Sequence, residues 1–477
     1  MFIKISGLLL LLALICVPLF LHLDYLPFRL WDESRLASNA YEMHKNGNFI
    51  VTHYDGVPEM WNTKPPLMIW LQVFFIKLIG FNELSIRLPA AIAGLLTCVV
   101  LVLFSYKHFK SLLPGAFAGL VLVTTHGYID AHAIRTGDYD GLLALFTTLF
   151  VLSIFKYTET GNKKWAVAFF TGITLAVLTK SVQSLLFLPA IVIYFLFRKK
   201  WQLIYARHFI AGIVFSCLIV GAYYFTREVM NEGYLLAIWN NELGGRYFNA
   251  LEENNAGPMY YVSRMGGYLF PYWIWFLPVA FLAGILSKSD KIKNLSLFLF
   301  LATATYFLFI TFSRTKLYWY TVPLFPLLAL QVAVFLFQCW QYLTTNSVIG
   351  KYPSVALLLI VVAFIYPYTI TAKEVYSPKE YSWDNMYPIS ELLQDAFHGK
   401  TSLHNHVIVY SDYDQHFKVY TNALADKGQT VFYKQPQNLV KGDTVIVSED
   451  SMAKQVETMY DEQLLKQQQG VKIYLIK

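Results

Sequence analysis

The pattern of apolar and polar positions divides the chain near residue 372. Ahead of that point, apolar runs recur at close to the roughly 20 residues that a helix needs to cross a bilayer. They predict spans at 3–23, 88–106, 112–129, 141–157, 165–179, 182–197, 208–226, 268–286, 295–312, 317–337 and 353–371, about eleven in all. The run 65–80, PPLMIWLQVFFIKLIG, is shorter, opens on two prolines and carries Gln72 and Lys77. It reads as an amphipathic helix lying in the interface plane. Beyond 372 the pattern changes. HVIVYS (406–411), TVFYK (430–434), DTVIVS (443–448) and VKIYLI (471–476) read as strands, alternating with helical stretches around 413–427 and 451–469. The expected fold class is an all-α polytopic membrane bundle with outer-face juxtamembrane helices (1–371), followed by a small C-terminal α/β soluble domain (372–477). No motif assigns chemistry to that domain.

Composition agrees with the pattern. Hydrophobic residues make up 56% and charged residues 14%, against about 25% charged in soluble domains. The formal net charge of +7 could suggest nucleic acid, but its distribution points to membrane topology instead. With a cytoplasmic N-terminus, the inner loops 107–111, 156–164, 198–207, 287–294 and 338–352 hold most of the clustered Lys and Arg, including Lys107, Lys110, Lys163, Lys164, Arg198, Lys199, Lys200, Lys288, Lys291 and Lys293. That is the bias of the positive-inside rule. Counting 65–80 as a span would turn most of these clusters outward. The N-terminal run reaches Leu23 without a small-residue cleavage site, so it reads as the first span and not a signal peptide. Cys16, Cys98, Cys217 and Cys339 lie within or at the ends of apolar runs and show no metal-ligand spacing.

The same topology sends 24–87, 130–140, 227–267, the turn 313–316 and the C-terminal domain outside. Basic residues there run against the rule and need another cause, for which an anionic ligand is the obvious candidate. WDESRLASNAYEMHKNGNF (31–49) sets Asp32 and Arg35 at the start of a helix with Leu36, Ala40, Tyr41 and His44 on one side. Asp32 could simply cap that helix, or it could take a proton from an acceptor hydroxyl. Lys64, before Pro65 and Pro66, is either a snorkelling lysine or a phosphate clamp. AHAIRTGDYDGLLALF (131–146) puts Asp138 and Asp140 just ahead of a span. Capping explains one of them, but less easily both together with Arg135. Lys180 sits in an outer turn between two short spans, Arg246 in the long outer loop, and Arg314, Lys316 and Tyr320 at another outer turn. Belt aromatics with snorkelling cations are ordinary singly. Together they form one face carrying carboxylates and fixed cations, which suits a phosphate leaving group beside a hydroxyl.

These pieces occur in a specific order: Asp32, Glu33 and Arg35 in DESR, then Lys64-Pro65-Pro66, then Arg87-Leu88-Pro89, then Asp140. Lys180, Arg246 in NELGGRYF, and Ser313 to Lys316 followed by Pro323 and Pro326 complete it. Over about residues 25–335 the chain resembles the bacterial 4-amino-4-deoxy-L-arabinose lipid A transferases and the protein O-mannosyltransferases of the GT-C superfamily. The resemblance implies a GT-C fold in a bacterial inner membrane, with the site and C-terminal domain periplasmic. It implies an inverting, metal-independent sugar transfer from a polyprenyl phosphate to a glycolipid or protein hydroxyl. Asp32 would be the catalytic carboxylate and Asp140 a second acid at the site. Lys64, Arg35 and Arg246 would hold the carrier phosphate. Arabinose-transferase members often carry a zinc-ligating Glu just before the lysine and a His five residues before the later arginine. Thr63 and Asn241 stand there instead, so neither zinc nor another cofactor is expected. The competing reading is a transporter or flippase of a lipid-linked or anionic solute, which would place charges near the midplane and show repeats. No repeat is visible.

Overall fold

The structure, a computed structural model, describes residues 2–130, 132–248, 256–346, 351–378, 387–410, 413–468 and 470–477. Its membrane part runs α1 (Phe2–Phe20), α2 (Asp32–Asn46), a small hairpin of β1 (His53–Tyr54) and β2 (Val57–Pro58), α3 (Leu67–Ile79), α4 (Glu83–Phe109), α5 (Leu113–Val123) and α6 (His126–Ile129). It continues with α7 (Tyr139–Thr160), α8 (Lys163–Lys180), α9 (Leu188–Phe197), α10 (Arg207–Met230), α11 (Tyr234–Ile238), α12 (Tyr260–Arg264) and α13 (Leu277–Ile285). The last three are α14 (Asp290–Phe312), α15 (Phe325–Asn346) and α16 (Pro353–Tyr376).

Among the described residues, seven helices are long and apolar enough to cross a bilayer, or eight if one bent pair counts as a span. Two expected spans differ. Residues 112–129 give only the 11-residue α5 before the chain turns into α6. The 268–286 run is broken, with Tyr260–Leu269 and Ile274–Ile285 meeting at 117°. The stretch 65–80 becomes the 13-residue α3, too short for a straight crossing.

Lys163–Phe197 is a continuous helical stretch of 35 residues, which if straight would separate its ends by about 50 Å. Yet Tyr194 Oη donates to Glu159 at 3.0 Å and Arg198 Nε to the same carboxylate at 3.1 Å, only four residues from Lys163 in sequence. The chain therefore goes out and back, reversing near Ser181, which has φ 49. Lys180 stands at that reversal, as the two-span reading expects.

The same contacts sort the helix ends. His108 meets the Lys291 carbonyl at 3.1 Å, and Asn294 donates to Glu159 at 3.2 Å. The C-termini of α4, α7 and α9 and the N-termini of α8, α10 and α14 thus share one end, where the basic loops lie. The opposite end gathers α2, the start of α7, the reversal at Lys180 and the end of α14.

The C-terminal part contains α17 (Tyr387–Phe397), β3 (His406–Ile408), α18 (Gln415–Asp426), β4 (Val431–Tyr433), β5 (Thr444–Val447), α19 (Asp450–Met459), β6 (Glu462–Gln468) and β7 (Val471–Ile476). The sheet order is β4-β3-β5-β7-β6, with β3 parallel to β4 and β5, and β7 antiparallel to both its neighbours. The expected helix 451–469 stops at Met459. The exposed EQLLKQQ segment forms β6 because β7 offers it an antiparallel edge.

This domain is docked on the bundle. Phe28, Ala37, Ala40, Ile69 and Val73 share one buried core with Ile389, Leu393, Phe417 and Leu424. At its centre the buried Glu83 carboxylate accepts from Gln394 Nε2 (3.0 Å), His398 Nε2 (3.0 Å) and Tyr420 Oη (2.5 Å). Removing that acceptor strands buried donors, at a cost on the order of 3 kcal/mol. Glu83→Ala is therefore expected to make residues 387–477 protease-sensitive while the bundle stays resistant, as limited proteolysis would show.

Candidate active site

The site builds up from α2. Its first residue is Asp32, and the N-cap position falls to Trp31, at φ 70 and with no side-chain capping bond. Asp32 therefore does not occupy the cap. It lies in the first turn, where the helix dipole favours a negative charge. Gly47 ends the helix at φ 69, as its position predicts. The buried face is Glu33, Leu36, Ala37, Ala40 and Met43; Tyr41 is half-buried and His44, expected on the same face, is exposed.

Glu33, Asp140, Lys180 and Lys316, all selected from the sequence, are held inside the protein. Glu33 is 2% exposed and accepts four bonds, from Arg87 Nε (2.7 Å) and Nη2 (2.9 Å) and from the backbone N–H of Arg29 and Gly137 (2.8 Å each). Burial pushes its carboxyl pKa upward, but the charge and hydrogen bonds of Arg87 outweigh it and the net shift is downward. Asp140 is fully buried and pairs with Lys180 Nζ at 2.6 Å. Such a pair holds its place because losing either partner leaves a buried charge alone. Lys316 donates to the carbonyls of Thr311 (2.6 Å) and Ser313 (2.7 Å), so it caps the end of α14 and does not face the site.

Asp138 caps α7, its Oδ1 accepting from the Tyr139 N–H, so the bland reading of that residue holds. Its other oxygen lies 2.7 Å from His132 Nδ1, and the same nitrogen is 3.6 Å from Asp32 Oδ2. His132 has φ 61 and stacks on Trp319 at 3.7 Å. Burial alone would lower its pKa. The hydrogen bond and charge of Asp138, followed by Asp32 and Asp140, overcome burial and raise it. The Asp32 carboxylate, 45% exposed, is thus the outward-facing end of a line running through the His132 imidazole to a buried acid.

Cations border this line. Arg35 makes a bidentate pair with the buried Glu59 (2.7 and 2.9 Å) and lies 4.1 Å over the Tyr54 ring. Lys64 Nζ is 3.5 Å from Asn62 Oδ1, 3.7 Å from Glu242 and 5.4 Å above the Tyr139 ring. Tyr320 stands 5.8 Å from Lys180. Arg314 is exposed at the end of α14. Arg246 falls in the π-helical segment Trp239–Phe248, but its side chain lies outside the described residues.

Sequence reasoning passed over His132, Glu59 and Tyr413. His132 lies three residues before the RTGDYDG run, but a single His in an irregular loop carries no periodic signal. Tyr413 comes from the C-terminal domain, and only the fold brings it to Trp31.

The positions where zinc ligands were considered do not fit a metal. Asn241 uses its amide to donate to the Met60 (2.9 Å) and Trp61 (3.3 Å) carbonyls, and Thr63 offers only a buried hydroxyl. Among the described residues the one grouping with metal-ligand spacing is Asp32, His132 and Asp138, whose ligand atoms lie within 4.8 Å of one another.

A family profile described as dolichyl-phosphate-mannose-protein mannosyltransferase matches residues 63–224. The chain is 27% identical over 338 residues to a protein of Aquifex aeolicus, covering 69% of this chain and 63% of that one. It is 25% identical over 333 residues to the undecaprenyl phosphate-alpha-4-amino-4-deoxy-L-arabinose arabinosyl transferase of Aeromonas salmonicida, covering 66% and 58% respectively. It thus spans less than two thirds of the length of the curated relatives it matches. Among solved structures, ArnT from Cupriavidus metallidurans bound to undecaprenyl phosphate superposes with a TM-score of 0.70 at 17% identity, covering 98% of both chains. The oligosaccharyltransferase AglB of Archaeoglobus fulgidus gives 0.51 at 11% identity, over 90% of this chain and 64% of that one. The chain thus resembles a mannosyltransferase profile over residues 63–224 and an arabinosyl transferase in sequence, and it shares the fold of ArnT.

Proposed function

We propose that the chain transfers a sugar from a polyprenyl phosphate, undecaprenyl phosphate in a bacterial inner membrane, to a hydroxyl of an envelope glycolipid or protein at the periplasmic face. The observation that carries this reading is the half-exposed Asp32 carboxylate held by His132 and Asp138 at the end of the bundle opposite the basic loops. The positive-inside rule makes those loops cytoplasmic and the site periplasmic.

The chemistry follows from the charges. The acceptor oxygen forms a bond to the anomeric carbon from the side opposite the phosphate, and its proton passes to Asp32. The bond from that carbon to the phosphate oxygen breaks, and the electron pair leaves on the carrier phosphate, so the anomeric configuration inverts. Lys64, Arg35 and Arg246 are the cations assigned to that phosphate, where fixed positive charge favours the transition state. For Lys64 this means giving up its 3.7 Å contact with Glu242. His132 faces Asp32 at 3.6 Å and keeps it in place, and no metal or other cofactor is required. Transport is the weaker reading because the charged residues collect at one end and not at mid-depth.

The raised pKa of His132 gives the test. Its imidazolium supports the site fully below the ordinary value of about 6.5 and is lost as pH rises through the higher folded value. Consumption of undecaprenyl-phosphate sugars by the purified protein should therefore fall along a basic limb that is absent in His132→Gln. A wild type that consumes no donor at any pH would contradict the transferase reading.

A further inference from the structure

Trp31 is an unusual residue for its place. Helix N-caps favour Ser, Thr, Asp or Asn, and a bulky residue at φ 70 carries backbone strain that the fold must offset. It is also 42% exposed, although it sits beside the buried Arg29–Glu33 link. Nothing in the packing of α2 calls for an indole there. The ring stacks on Tyr413 of the C-terminal domain, with centroids 4.2 Å apart and planes at 22°. Tyr413 also reaches the Arg35 guanidinium; burial first, then Tyr54 and Asp32, raises its pKa and keeps its hydroxyl protonated. Tyr413 thus backs one face of the part-exposed indole, which stands one residue from Asp32 and near the planar Arg35–Glu59 pair.

We infer that the Trp31–Tyr413 pair is the acceptor platform and that it takes a pyranose ring, so that the acceptor is a glycan and not a peptide. This rests on the transferase reading above. A sugar ring presents C–H groups on its faces and hydroxyls around its rim. The faces suit an aromatic surface, with large apolar contact at small entropic cost. The rim suits planar charged groups with fixed hydrogen-bond directions, here Arg35 and Glu59. A ring seated on Trp31 holds one of its hydroxyls next to Asp32. The C-terminal domain, to which the sequence assigned no chemistry, then supplies the ring that backs and fixes the platform.

The test uses the full-length protein in detergent and two binding measurements. Detergent-solubilised lipid A, whose headgroup is a glucosamine disaccharide, and a Thr-containing peptide serve as acceptor probes. Undecaprenyl phosphate probes the donor side. The wild type should bind lipid A in preference to the peptide. Trp31→Ala and Tyr413→Ala should each weaken lipid A binding about tenfold or more, while Trp31→Phe and Tyr413→Phe, which keep a ring, stay within about threefold. Undecaprenyl phosphate affinity should hold within about twofold in all four variants. Lipid A binding unchanged in the Ala variants, preference for the peptide, or binding of neither probe would overturn the proposal. So would a parallel loss of undecaprenyl phosphate, which would mean the pair only docks the domain. Failure of the wild type to bind undecaprenyl phosphate would instead strike at the transferase reading, separately from the acceptor result.

Discussion

Asp32→Asn should abolish sugar transfer while leaving a folded protein. A positioned general base contributes about 10²–10⁴-fold to rate, so a fall in kcat of about 10³ is expected. The amide keeps the shape of the carboxylate, and Asp32 is not the cap residue of α2. It cannot accept the hydroxyl proton, and it removes the negative charge that faces His132 at 3.6 Å. Asp138→Asn should act less severely, since it loosens His132 but leaves the base itself. Single-turnover rates on bound donor separate the two, because they report the transfer step without donor binding. If Asp32→Asn transferred sugar at the wild-type rate, the base would lie elsewhere.

Glu33→Ala should have the largest effect on stability, destabilising the protein by about 3–5 kcal/mol, as breaking a buried charge pair does. All five N–H groups of Arg87 are used: Nε and Nη2 on Glu33, and Nη1 and Nη2 on the carbonyls of Leu23, Leu26 and Pro27 at 2.7–2.9 Å. Without the carboxylate, a 2% exposed guanidinium remains among carbonyls with no ion-pair partner in contact. The Gly137 and Arg29 N–H groups lose their acceptor at the same time. Since Glu33 ties α2 to α4 and to the loop holding His132 and Asp138, the site should loosen before the bundle melts. Thermal unfolding in detergent, followed together with hydrogen exchange at residues 132–138, measures both effects. A melting temperature within a degree or two of wild type would show that the pair carries no such load.

The bundle was legible because crossing a bilayer demands long apolar runs, and the loop lysines are the basis of the proposed orientation. What escaped was whatever depends on breaks inside apolar sequence. The 117° bend between Tyr260–Leu269 and Ile274–Ile285 and the early end of α5 leave no mark in hydropathy. At the site, the sequence selected the charged residues but could not sort them by partner. Glu33 and Asp32 are adjacent, yet one closes a buried pair with Arg87 and the other faces outward. Lys316 and Lys180 both looked like phosphate ligands, and the structure commits the first to helix carbonyls and the second to Asp140. Partner assignment is a tertiary property, as is the meeting of Trp31 and Tyr413 across 382 positions of chain.

The central claim, group transfer at Asp32, is tested most directly by reconstituting the wild type with undecaprenyl-phosphate sugars and a lipid A acceptor. The measurement follows release of undecaprenyl phosphate and the anomeric configuration of the product by NMR. The account predicts stoichiometric release and inverted configuration. Movement of intact donor across the bilayer without release, or a product of retained configuration, would contradict it.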